Sequence, residues 1–176
     1  MLSGTTVESN IMVDVNQGIF LSGGRDTVIR NNVIVNKTAD DPAPNGDGRY
    51  AIMLRTTGLL DHRQSMVQSM LSNISSLDLT SEGWLKYPYV NVYPQEAPGA
   101  PVRNIVENNV IWNHLNLKAY SDYYKWSTVG NNLVNTTNPG FVNSSGGDYT
   151  MRSDSKVFEL LPEFEAIPFE KIGIIK

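Results

Sequence analysis

The sequence predicts an all-β chain folded as a β-solenoid, and three observations carry that expectation. Short runs of Val and Ile recur around an Asn pair, as "RDTVIRNNVIVN" (25–36), "NIVENNVIWN" (104–113) and "TVGNNLVN" (128–135). The runs return at a regular spacing once two insertions are allowed for. Each strand-like run is three to five residues long, too short for a helix and rich in β-branched side chains.

The repeat comes first. Thr6-Val7 precedes Thr27-Val28 by 21 residues, and Asn10 precedes Asn31 by the same 21. "GIFL" (18–21) matches "AIML" (51–54) at an offset of 33. Asn31-Asn32 returns as Asn108-Asn109 after 77 residues and as Asn131-Asn132 after another 23. One period of roughly 22 residues fits, with about 11 extra residues in 37–48 and about 44 in 58–101. Strands this short gain stability by stacking, which pairs their backbones and buries a shared apolar centre. An ordinary sandwich also spaces its strands closely, but it does not account for the repeated Asn-Asn phase. In the stack Asn10, Asn31, Asn108 and Asn131 are expected one above another. Asn tolerates left-handed geometry and its amide bonds to neighbouring layers, so the ladder reads as structural.

The chain is thus read as a single domain over 1–176. Coils occupy about 4–57 and 102–142, a helical and loop insertion fills 58–101, and a C-terminal cap covers 143–176. In the insertion, Met66, Met70 and Ile74 recur at i+4, with Val67, Leu71 and Leu77 on the same side and Asp61 as candidate N-cap. This predicts a helix lying over one side of the stack, its methionines packing rather than holding a cofactor. The following "EGWLKYPYVNVYPQEAPGAP", rich in aromatic residues and proline, reads as an ordered loop that either walls a groove or covers the core. "NPGFV" and "GGDYTM" predict two last strands around a Gly-rich turn. Phe158, Leu160, Leu161, Phe164, Ile167 and Phe169 are then expected to cover the bottom of the stack. The N-terminus offers no counterpart: either a cap was lost, or the open end pairs with another chain.

Composition narrows the function. The 176 residues are 40% hydrophobic and 18% charged, as expected of a folded domain. A net charge of −4 without a basic run argues against nucleic acid. Neither a membrane span nor a signal peptide is expected from the apolar runs present. With no cysteine, disulfides and thiolate metal sites are excluded. No EF-hand run or His cluster appears, so neither metal nor cofactor is implied. Asn-x-Ser/Thr matches at Asn36, Asn73, Asn135 and Asn143 are expected by chance in a chain this rich in Asn.

"GGRDTVIRNNVIVN", "GWLKYP…APGAPVRNIVENNVIW" and "NPGFVNSSGGDYTMRSDSKVF…FEAIPFEKIGI" resemble the C-terminal part of bacterial right-handed parallel β-helix proteins. These are carbohydrate-active proteins, similar in architecture to glycoside hydrolases and pectate-lyase-like enzymes. The resemblance implies a polysaccharide or oligosaccharide partner and an extracellular or periplasmic location. It also implies a departure. Where relatives tend to carry A-[IV]-H-[IV]-D-x-R-G, this chain has "AIMLRTTG", with Met53 at the His position and Arg55 at the Asp position.

Glycoside hydrolysis generally needs two carboxylates across a groove, and uronate elimination needs a base and a cation. Asp14, after a strand, either faces a groove or stabilises a turn. Asp26, beside Gly23 and Gly24, shapes a turn with Arg25. Glu107 stands where the other repeats have Arg30 and Gly130, which suits a solvent-facing position. His62 near the helix start either caps or catalyses. His114 is close in sequence to Tyr120, Asp122, Tyr123, Tyr124 and Trp126, a preferred ligand-contact region whose alternative is an aromatic loop packed on the core. Arg55, Asp61 and Arg63 either engage an acidic sugar or pair among themselves. The expected function is a polysaccharide-active or polysaccharide-binding protein. The alternative is a non-catalytic adhesion module that forms homo-oligomers through its open N-terminal end, and a product retaining a fold without activity is a third reading.

Overall fold

The computed structural model describes residues 4–15, 17–36, 50–57, 64–87, 89–114, 118–119, 123–135 and 137–171. Strands β1 (Thr6–Glu8), β2 (Ile11–Val13), β3 (Ile19–Ser22), β4 (Val28–Arg30), β5 (Val33–Val35) and β6 (Ile52–Arg55) precede helices α1 (Gln64–Ser75) and α2 (Glu82–Leu85). Next come β7 (Ile105–Glu107), β8 (Val110–Trp112), β9 (Lys118–Ala119), α3 (Tyr123–Trp126), β10 (Thr128–Val129) and β11 (Leu133–Asn135). The chain then runs through β12 (Phe141–Asn143), β13 (Asp148–Met151) and α4 (Val157–Leu160).

The strands fall into four separate short sheets, ordered β1-β4-β7-β10, β11-β8-β5-β2, β3-β6-β9 and β12-β13. The first three are parallel and the last is antiparallel. This corrects the expected all-β right-handed parallel β-helix. The chain is a mixed structure of short parallel and antiparallel sheets with helices between them. Runs of Val and Ile specify strands, but they do not specify how strands are shared among sheets. The helix-forming run of α1 and the hairpin β12-β13 lie outside any single strand repeat.

The repeat spacing survives with one correction. Ile19 pairs with Ile52, Val28 with Ile105, and Ile105 with Thr128, as the offsets of 33, 77 and 23 require. Thr6, however, pairs with Val28 rather than Thr27, a step of 22 and not 21. Asn10 therefore aligns with Asn32, Asn109 and Asn132, while Ser9 aligns with Asn31, Asn108 and Asn131. Each position has its own task. Ser9, Asn31, Asn108 and Asn131 turn the chain in the left-handed region, with φ of 56°, 54°, 53° and 49°. The residue after each supplies a side-chain amide. Asn10 donates from N–H and Nδ2 to Asn32 Oδ1 at 3.1 and 2.9 Å. Asn32 does the same to Asn109 Oδ1 at 3.1 and 2.9 Å, and Asn109 to Asn132 Oδ1 at 3.1 and 2.8 Å. Each Nδ2 also donates to the carbonyl two residues earlier, so Asn32 and Asn109 stay satisfied although fully buried.

Alternate strand positions feed two apolar clusters. Ile29, Ile34, Val106 and Ile111 face inward, packed with Leu21, Ile52 and Leu54. Val33, Val35 and Val110 face the other way, onto Phe141, Tyr149, Val157, Leu161, Phe164 and Ile167. The C-terminal tail thus crosses one face of the β11-β8-β5-β2 sheet rather than closing its end, and Leu160 remains exposed.

Helix α1 forms where Met66, Met70 and Ile74 predict it, but only Val67 is buried and Met66 is 61% exposed. Asp61, the expected N-cap, lies outside the described residues. The insertion is fastened instead at its exit. Thr57 N–H donates to the Gly99 carbonyl at 2.6 Å, and Gly99 sits at φ 87°, where any Cβ would collide with the Thr57 carbonyl. No helix among the described residues is long and apolar enough to cross a membrane.

Candidate functional site

The residues that sequence reasoning selected do not converge. Asp14 directly follows β2 at φ 53°, and its N–H donates to the Val35 carbonyl at 2.8 Å, as a turn residue does. His114 is buried and its Nε2 lies 3.0 Å from the Val15 carbonyl, which can only accept, so that nitrogen carries the proton. This bond ties two loops 99 residues apart. Arg55 ends β6 beside Ser22, and the half-buried Trp126 ends α3 with Lys125 Nζ 5.7 Å from its ring centre. Tyr123 opens α3, its side chain outside the described part of the structure. Asp61, His62, Arg63, Tyr120 and Asp122 lie outside the described residues altogether.

Two polar constellations take their place. The first joins the insertion to the strands. Arg103 grips Asp26 with two bonds, Nε to Oδ1 at 2.5 Å and Nη2 to Oδ2 at 2.9 Å, and also donates to Glu96. Arg25, only 3% exposed, donates to the same Glu96 carboxylate at 2.6 Å. Its guanidinium lies 4.4 Å from the Tyr93 ring, and that of Arg103 lies 4.0 Å from the Tyr89 ring. Asp26 was expected to shape a turn with Arg25. It does turn, at φ 54°, but its close partner is Arg103, 77 residues on. Burial lowers the Arg25 pKa, and the neighbouring Arg103 charge adds to this. The Arg103 bond holds the Glu96 carboxyl below its ordinary value. Two cations and two carboxylates satisfy one another, which makes this a fastening rather than a reactive centre.

The second constellation is a cleft of about 340 Å³ lined by Glu8, Ser9, Arg30, Asn31, Glu107, Asn108, Glu163 and Glu165. Its floor follows from the register, because Glu8, Arg30 and Glu107 are neighbours at the ends of β1, β4 and β7. Its wall is the C-terminal tail. Glu165 N–H donates to Asn31 Oδ1 at 2.7 Å, and Asn108 Nδ2 donates to Glu163 Oε2 at 3.3 Å. Arg30 Nε donates to Glu8 Oε2 at 2.8 Å, which raises the Arg30 pKa. Asn31 Nδ2 donates to Ser9 Oγ at 3.1 Å. Every lining side chain is polar, with four carboxylates against one guanidinium. Among the described residues no group of three or more His, Cys, Asp or Glu is placed to hold a metal ion.

Sequence reasoning placed Glu107 in solvent; it is half-buried on this floor. Glu8, Ser9, Glu163 and Glu165 were missed. The alternation Glu8, Arg30, Glu107 becomes visible once the repeat is read at a step of 22. No family model, curated protein or solved structure matches the chain.

Proposed function

We propose that the chain binds polysaccharide or oligosaccharide in the cleft between β1-β4-β7 and the C-terminal tail. The carrying observation is the cleft itself, a concave surface whose lining offers carboxylate and amide acceptors beside amide and guanidinium donors, the complement of sugar hydroxyls. The resemblance of the quoted motifs to carbohydrate-active proteins supports the same reading and favours an extracellular or periplasmic setting. The charge narrows the sugar. Four carboxylates repel a uronate chain, so neutral and amino-sugar polymers suit the cleft better than the acidic sugar that Arg55 and Arg63 first suggested.

Screening chitosan, xylan, pectin and alginate for binding, and for reducing ends or unsaturated products, tests this. Retention on chitosan or xylan that exceeds retention on pectin and alginate is expected. Product formation separates hydrolysis and elimination from binding alone. Absence of binding to every glycan, or binding that Glu107→Lys leaves unchanged, overturns the assignment.

A second reading is a non-catalytic module that self-associates. It is favoured by β1, β2 and β3, each of which is an edge strand with one pairing partner among the described residues.

A further inference from the structure

We propose that Trp84, Tyr87 and Tyr89 form a glycan-contact surface separate from the cleft. On it a neutral, equatorially substituted polysaccharide such as xylan lays the C–H faces of its rings. The insertion carries these aromatic rings outward. Helix α2 buries none of its residues, and Leu85, Tyr87 and Tyr89 are 66%, 59% and 54% exposed. Large apolar groups gathered in water in this way mark a contact surface. The rings of Trp84 and Tyr87 lie 6.2 Å apart and are tilted by 51°, so neither covers the other's face by stacking.

The surface is held in place. Tyr87 N–H donates to the Trp84 carbonyl at 2.9 Å, Val90 N–H to the Tyr87 carbonyl at 3.3 Å, and Tyr93 N–H to the Val90 carbonyl at 3.3 Å. Tyr93, buried against the Arg25 guanidinium, anchors this run of turns. Within the run Tyr89 takes φ 61°, a left-handed conformation that strains a bulky residue and not a glycine. Its ring rests on the Arg103 guanidinium, which Asp26 and Glu96 fix in turn. The Arg103 fastening therefore also holds an aromatic ring out to solvent.

Charge selects the occupant. Between Asp78 and Glu96 the only cation is Lys86, against three carboxylates, and Arg103 is already matched by Asp26 and Glu96. Nucleic acid and an anionic membrane both accept aromatic rings, but both call for cations that this surface does not offer. A neutral pyranose chain needs none. Its axial C–H groups pack on ring faces, and its hydroxyls meet the exposed polar side chains of Glu82, Lys86 and Asn91.

Xylohexaose binding by the full chain, measured by titration calorimetry, tests this, with melting curves confirming that each variant is folded. Trp84→Ala, Tyr87→Ala and Tyr89→Gly are each expected to weaken binding about threefold to tenfold. Trp84→Phe and Tyr89→Phe, which keep a ring, are expected to retain most of the affinity. The same losses are expected in a Glu107→Lys background, which separates this surface from the cleft. Binding that Glu107→Lys abolishes, or that is indifferent to all three ring deletions, overturns this surface and leaves the cleft standing. No binding of xylohexaose by the wild type overturns it whatever the cleft binds. Sedimentation with phosphatidylglycerol vesicles that Trp84→Ala removes assigns the rings to a membrane and overturns it as well.

Discussion

Asn32 and Asn109 lie 77 residues apart in the chain, yet the backbone N–H and the side-chain Nδ2 of Asn32 both end on the one Oδ1 of Asn109. Asn109 returns the bond pattern by donating to the carbonyls of Ile29 and Glu107 at 3.0 and 2.9 Å. A fully buried amide thus joins β4, β5, β7 and β8 across the 58–101 insertion.

Removing it leaves several polar groups without partners. Asn109→Ala strips the acceptor from Asn32 N–H and Nδ2 and the donor from two carbonyls in a buried setting. A loss of about 2–4 kcal/mol is expected, measured by denaturant unfolding. Asn109→Asp keeps the acceptor but faces a carboxylate toward those carbonyls, so it is expected to fall below wild type as well. Stability unchanged in both variants contradicts the ladder.

The turn residue just before each amide behaves differently. Asn131 sits at φ 49°, is exposed, and makes no side-chain hydrogen bond among the described residues. Asn131→Gly is expected to be nearly neutral. Asn131→Val is expected to cost about 1–2 kcal/mol through backbone strain alone. Thermal melting of the pair checks this, and equal midpoints would count against the left-handed assignment.

The fastening of the insertion is pH-dependent with a defined sign. Arg103 holds the Glu96 carboxyl below its ordinary value, so the stabilisation is present in full above about pH 4.3, the unfolded value. It is lost as pH falls through the folded value. Glu96→Gln removes the charge that Arg25 and Arg103 share. Because the Glu96 side chain is 38% exposed, solvent screening limits the cost at pH 7 to about 1–2 kcal/mol. The stability gap between wild type and Glu96→Gln is expected to close in acid. A gap that does not narrow at all as pH falls below about 4.3 is inconsistent with this linkage.

These elements differ in how far the sequence discloses them, and the difference is physical. Strand and helix positions rest on local periodicity, so β4, β8 and α1 could be read from Val, Ile and Met spacing. The register of β1 could not, because the Thr6-Val7 and Thr27-Val28 identity suggested a step of 21 while the left-handed turn at Ser9 fixed 22. A serine in an asparagine's place hid the correct alignment. The bonds Arg25–Glu96 and Glu165–Asn31 span 71 and 134 residues, and no local pattern encodes them. The cleft therefore stayed invisible, since its wall comes from the tail and its floor from the corrected register. The distribution of strands among four sheets was equally hidden, because runs of Val and Ile mark strands without marking which strands pair.

Chemical-shift mapping tests the central claim most directly. Uniformly 15N-labelled protein is titrated with chitosan or xylan oligosaccharides, and backbone amides are followed. Saturable shifts at Ser9, Asn31 and Asn108, diminished in Glu107→Lys, are the predicted result. Shifts confined to residues around Trp84 or Trp126, or none with any oligosaccharide, would contradict the cleft as a sugar site.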